Sequence, residues 1–229
     1  MCFSATGSFA VSGILGVVGA ASIARNSSAP HRMFAAIPFI FAAQQASEGI
    51  VWLTIAGPPD AALHRVAVAT FLGLALVVWP MWLPLALRLV ERNPARRRWL
   101  TALAWFGGLV AAGAWLLLTR WRPVAVVAGH SIRYDRAGSN DTARDLLLLL
   151  AYVIPTVVPF FVSTTKLARA IGATLVVSLA VAVVIQRDSL TSVWCFFAAI
   201  LSGLMFVALG REQRSIPASL AERLAPAKP

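Results

Sequence analysis

Seven stretches of this chain are almost unbroken apolar sequence: about 5–24, 33–56, 66–90, 99–119, 145–163, 168–186 and 190–210. Each is close to the roughly 20 residues a helix needs to cross a hydrocarbon core about 30 Å thick. Lipid offers no water to bare N–H and C=O groups, so runs of this length must satisfy their backbones internally, as helices do. Only 13% of the 229 residues are charged, about half the share usual in a soluble domain, and the mean hydropathy is +0.77. Gln186, Arg187 and Asp188 alone divide the last two runs, enough for a tight turn. The expected fold is an all-α integral membrane bundle of seven transmembrane helices, one domain over 1–210. An outer loop spans 120–144, and a short cytoplasmic tail follows over 211–229.

The formal charge of +11 invites a nucleic-acid partner, but its distribution argues against one. One set of inter-helix segments and the C-terminal tail hold thirteen basic residues: Arg25, Arg32, Arg88, Arg92, Arg96, Arg97, Arg98, Lys166, Arg169, Arg211, Arg214, Arg223 and Lys228. The opposite set holds seven: Arg65, Arg120, Arg122, Arg133, Arg136, Arg144 and Arg187. By the positive-inside rule the N-terminus lies outside and the C-terminus inside. The charge then encodes orientation, with the lipid bilayer and its anionic headgroups as partner and no nucleic acid. The first 24 residues carry no Lys or Arg, so no basic n-region of a cleavable signal peptide is expected and the first helix stays as a span.

Ser4, Ser8, Ser12, Gly16 and Ala20 recur every four residues in the first run. Such a small-residue stripe lets another helix backbone approach closely in lipid; the alternative is a hydroxyl-lined wall of a cavity. "WPMWLP" brings Pro80 and Pro84 into the third run, and "YVIPTVVP" brings Pro155 and Pro159 into the fifth. Each Pro removes a helix donor and displaces a carbonyl, so both helices should bend and free backbone acceptors. In the outer loop, "VAVVAGHSIRY" has two short β-prone runs around Gly129-His130. It reads as a small extracytoplasmic β-hairpin.

"FAAQQASEGIVWL" places polar groups in the second run. Gln44, Glu48 and Trp52 recur every four residues, and Gln45 precedes Glu48 by three, so the four share one helix face. At 1.5 Å per residue from Gly57, Glu48 lies roughly 13 Å inside the outer boundary. That is too deep for its short side chain to reach headgroups, so it must face the bundle interior. Ser8, Ser12, Tyr152, Ser192 and Cys195 fall at a similar depth. His64, His130, Tyr134 and Asp135 form an outer rim. The expectation is an outward-facing polar pocket of Glu48, Gln44, Gln45, Trp52, Ser8, Ser12 and Tyr152. The Ser stripe, Tyr152 and the glutamines are the groups expected to satisfy the carboxylate. Intramembrane ionisable groups usually serve a ligand or a proton; the bland alternative is a neutral Glu acting as helix glue. The two cysteines, Cys2 and Cys195, share the outer half, where an oxidising compartment permits a disulfide; a metal or redox thiol and plain packing remain the alternatives.

Several chemistries find no residues here. The seventh run has no lysine for a retinal Schiff base, and no histidine lies inside the expected spans to hold haem between helices. Zinc-ligand spacing and nucleotide or nucleophile-elbow fingerprints are missing, so no metal is expected and no cofactor is assigned.

Taken together, "MCFSATGSF", "QQASEGIVW", "WPMWLP", "GHSIRY" and "SVWCFFAAILS" resemble a family of bacterial integral membrane proteins of unknown function. The match runs over nearly the whole chain. It implies a multi-pass bundle in the cell inner (plasma) membrane and carries over no catalytic role. Where that family often has a His shortly before the Trp-Pro, this chain reads "LGLALVVWP". Three functions follow as alternatives. One is a small-molecule or proton-linked carrier or sensor with Glu48 as counter-charge or proton site. The second is a membrane-embedded enzyme or redox protein using Cys2, Cys195 and Glu48. The third is an accessory subunit of a membrane complex. Oligomeric state is not readable from the chain.

Overall fold

Six of the apolar runs are helical in the computed structural model, which describes residues 4–25, 29–58, 61–135 and 142–185 together with Ser192, Trp194, Ala198, Ala199 and Ser202. Helix α1 is Ala5–Arg25, and a short α2 (Ala29–Ala35) leads into α3 (Ile37–Thr54), which has Pro38 in its first turn. Next comes one long rod: α4 (Ala62–Gly73), a π-helical turn over Leu74–Val78, and α5 (Trp79–Val90). Helix α6 (Pro94–Trp121) is followed by strands β1 (Val124–Ala128) and β2 (Ser131–Asp135), then α7 (Thr142–Val162) and α8 (Lys166–Ile185). Among the described residues, six helices are long and apolar enough to cross a membrane. The expected seventh run falls mostly outside the described residues. Its five described members are helical, and Ser192, Trp194 and Ala199 are buried.

Local chemistry sets the boundaries. Helix α6 starts a turn before its apolar run because the Asn93 side chain accepts from the Ala95 and Arg96 amides at 3.0 and 3.2 Å, with Pro94 preset for the first helical position. It ends on Arg122, whose φ of 40° is left-handed. The hairpin forms where expected, Ala128 opposite Ser131, with Gly129 at φ 62° in the first place of the two-residue turn.

Among the described residues helices α1 and α3 share the most extensive contact. Ser12 Oγ donates to the Ala42 carbonyl at 2.8 Å, and a Cβ on Gly19 would fall 2.6 Å from the Phe39 nitrogen. The small-residue stripe therefore acts as the expected helix contact. The contact drifts from the four-residue row to Gly19, and Ala20 is exposed, because 3.6 residues per turn do not keep a strict interval of four on one face.

Two apolar layers follow. Below the hairpin, Val51, Phe71, Ala75 and Ile132 form one. Toward the opposite end, Phe41 stacks on Trp79 with centroids 4.1 Å apart, among Leu83, Leu87, Phe160 and Ile171. Outside them, large apolar side chains such as Ile14, Leu109, Trp105 and Val184 stand exposed around the bundle, as a lipid-facing surface requires.

Candidate functional site

Between the two apolar layers lies a polar level. Glu48 is fully buried. Ser192 Oγ donates to its Oε1, and Gln45 Nε2 donates to its Oε2 at 3.4 Å. The carboxylate thus faces the interior and meets the seventh apolar run. Tyr152 and the Ser stripe, expected to satisfy it, do not; Ser192, which shares its depth, does.

Gln44, one turn below, accepts from Trp79 Nε1 through its Oε1 at 2.8 Å. An indole N–H can only donate, so this bond fixes which way the amide faces. Among the described residues Gln44 Nε2 is buried without a partner, as are Gln45 Oε1, Ser8 Oγ and Trp194 Nε1. The contacts Ser12–Ala42, Gly19–Phe39 and Phe9–Gly49 set an antiparallel register between α1 and α3 that brings Ser8 level with Glu48. The Gln44–Trp79 bond does the same for the π-helical turn, setting Ala75 level with Glu48.

That turn accounts for Tyr152. In π-helical spacing the Ala75 carbonyl would take the amide of residue 80, but residue 80 is proline and has none. Tyr152 Oη donates to the Ala75 carbonyl instead, at 2.7 Å, and its ring meets Trp194 edge-on at 5.7 Å. The acceptor that Pro80 frees is thus taken up within the bundle. Pro84 likewise leaves the Pro80 carbonyl without its helical donor, and Gly107 of α6 lies against that oxygen.

The remaining expected site residues divide. Ser12 spends its hydroxyl on the Ala42 carbonyl, and Trp52 packs in the layer beneath the hairpin with Phe71 and Ile132. His64, expected at the outer rim, is buried in the first turn of α4, its Nδ1 2.9 Å from Thr54 Oγ1. Tyr134 stacks on Phe71 at 5.0 Å and seats the hairpin on α4. His130 is exposed at the hairpin turn, and Asp135 pairs with Val124 at its open end. Cys2 and Cys195 lie outside the described residues. Among the described residues no three His, Cys, Asp or Glu side chains gather to hold a metal.

Sequence reasoning missed a second buried carboxylate, at the end of the bundle away from the hairpin. Glu91 follows the last apolar residue of α5. It accepts from the Asn93 amide at 2.9 Å, the Thr164 amide at 2.7 Å and the Thr164 hydroxyl at 2.9 Å. Beside it, Arg96 Nη1 donates to the Val162 and Ser163 carbonyls at 2.7 and 3.1 Å. An acid thus sits at the start of α8 and a base at the end of α7, each matched to its helix dipole. Burial works against ionisation of Glu91, yet the Asn93 and Thr164 amides and the Thr164 and Ser163 hydroxyls together hold its carboxyl below the usual range. The signal in the sequence was "VERNP", an acid between the end of one helix and an Asn-Pro start of the next.

Residues 1–221 match the model of a family described as a family of unknown function, DUF6629, and the chain belongs to that family. Neither the curated proteins nor the solved structures give a match.

Proposed function

We propose, for this member of a family of unknown function, a multi-pass protein of a bacterial inner membrane whose Glu48 level binds a small cationic or protonatable molecule, as a carrier or sensor. Seven spans run N-out and C-in, with the hairpin on the outer face and the polar level opening toward it. The supporting observation is the composition of that level. Among the described residues a fully buried carboxylate has two donors, while Ser8 Oγ, Gln44 Nε2 and Gln45 Oε1 near it have no partner. A level built only as helix glue would close its hydrogen bonds, because each buried polar atom left open costs about 1–3 kcal/mol. Glu48 supplies the counter-charge, Gln45 Oε1 an acceptor for the ligand's N–H, and Gln44 Nε2 a donor for a polar group at its other end.

The test uses the full chain in lipid nanodiscs, titrated calorimetrically with a series of small primary amines and quaternary ammonium ions. Saturable binding by the wild type, lost in Glu48→Gln at unchanged insertion and melting temperature, is the expected result. No binding by the wild type, or equal binding by Glu48→Gln, removes the proposal. Orientation is read separately: a C-terminal alkaline phosphatase fusion should be inactive and a C-terminal fluorescent fusion bright.

A further inference from the structure

The turns α5–α6 and α7–α8 are pinned together at the end of the bundle away from the hairpin. Glu91 accepts from the Thr164 amide, and Arg96 donates to the carbonyls at the end of α7. The pinning has an electrostatic result. Across residues 88–102 and 162–170 Glu91 is the sole acid, and it is buried in that joint. Arg92, Arg97, Arg98, Lys166 and Arg169 are left exposed at this end of the bundle, with no acid in either segment to neutralise them. Directly beside them Trp99 is 68% exposed, on the helix that continues as the apolar span Pro94–Trp121.

We propose that this end is a binding site for anionic phospholipid headgroups. Guanidinium groups take phosphate oxygens in paired hydrogen bonds, and the α6 N-terminus adds a positive dipole end. A basic cluster at the mouth of an apolar span is suited to a ligand carrying both a phosphate and acyl chains, whereas a free phosphate has no use for the exposed Trp99 and the lipid-facing helix below it. Tryptophan is the residue that favours the headgroup level. The site rests on the membrane reading and is independent of Glu48.

The experiment is native mass spectrometry of the full chain in detergent, titrated with phosphatidylglycerol and with phosphatidylcholine of the same acyl chains. The wild type should retain phosphatidylglycerol in preference. Arg92→Gln/Arg97→Gln/Arg98→Gln should lose roughly 100-fold in affinity for it, at about one headgroup-range charge interaction per residue removed. Arg65→Gln/Arg120→Gln, changed at the hairpin end, should retain it as the wild type does. Equal retention of the two lipids, a preference that survives the triple change, or displacement of phosphatidylglycerol by millimolar inorganic phosphate would each overturn the proposal. Should the triple variant fail to fold, added salt decides on the wild type: it should weaken phosphatidylglycerol binding and spare phosphatidylcholine, and a preference indifferent to salt rejects the site.

Discussion

Gly107 of α6 lies against the carbonyl of Pro80 so closely that a Cβ at position 107 would fall 1.9 Å from that oxygen. The oxygen is in place because Pro84, four residues on, has no N–H to receive it. The same imagined Cβ would meet Pro155 Cβ at 3.2 Å, so one glycine joins α6 to the proline-containing segments of α5 and α7.

Gly107→Ala should therefore be costly despite the better helix propensity of alanine. The clash is with backbone, which cannot swing aside, and overpacking of this kind costs about 1–3 kcal/mol or more. Gly108→Ala, whose new methyl meets nothing within 4 Å, should be neutral or stabilising by up to about 1 kcal/mol. Thermal unfolding of the two variants in one detergent is enough. Equal melting temperatures would mean that α5 and α6 are not in this register.

The π-helical turn supplies the next prediction. Tyr152 is the group that meets the carbonyl Pro80 leaves open. Tyr152→Phe keeps the ring against Trp194 but strips the hydroxyl, leaving the Ala75 oxygen buried and bare at a cost of about 1–3 kcal/mol. Hydrogen exchange should rise in segment 74–84 and stay unchanged in α1. Uniform exchange across both would show that the bond holds nothing in place.

Glu91 gives a pH dependence whose sign can be worked out. Its folded-state pKa is lowered, since the amides of Asn93 and Thr164 favour the ionised form over the cost of burial. Such a group contributes stability that is complete above the ordinary Glu value of about 4.3. The contribution is lost as the pH falls through the lower, folded value. Melting temperature should therefore drop more steeply below that pH in the wild type than in Glu91→Gln, which has no proton to take up. Parallel curves for the two proteins would assign the acid sensitivity to another group.

How far these features were legible in the sequence depends on whether they are local. The spans, the hairpin around Gly129-His130 and the close contact of α1 follow from the period of one segment read alone. The burial of Glu48 also follows, because depth is a matter of rise per residue. Its partner does not. Ser192 lies 144 positions away and reaches Oε1 only once the seventh run packs beside α3. Tyr152 was placed at the right depth but assigned the wrong acceptor, since a π-helical turn over Leu74–Val78 leaves no periodic trace to foresee a free Ala75 carbonyl. Glu91 was passed over because an acid at a helix end reads as solvated until the turn that buries it is known.

The final prediction separates shape from charge at Glu48. Leucine fills its volume but accepts nothing, so Glu48→Leu removes the carboxylate oxygens to which Ser192 Oγ and Gln45 Nε2 donate, at a cost of about 1–3 kcal/mol for each bond lost. Glutamine keeps one oxygen for Ser192 and turns an NH2 toward Gln45. Two amide donors would then face each other, but Gln45 can rotate, because its own Oε1 has no partner to lose. Glu48→Gln should consequently melt within a few degrees of the wild type, and Glu48→Leu well below it. Adding Ser192→Ala to Glu48→Leu takes away a donor whose carboxylate acceptor is already gone and should recover part of the loss, a coupling that a double-mutant cycle reads directly. Were Glu48→Leu as stable as the wild type, or were the two changes strictly additive, the carboxylate would not be held by Ser192 and the polar level would have to be drawn around a different centre.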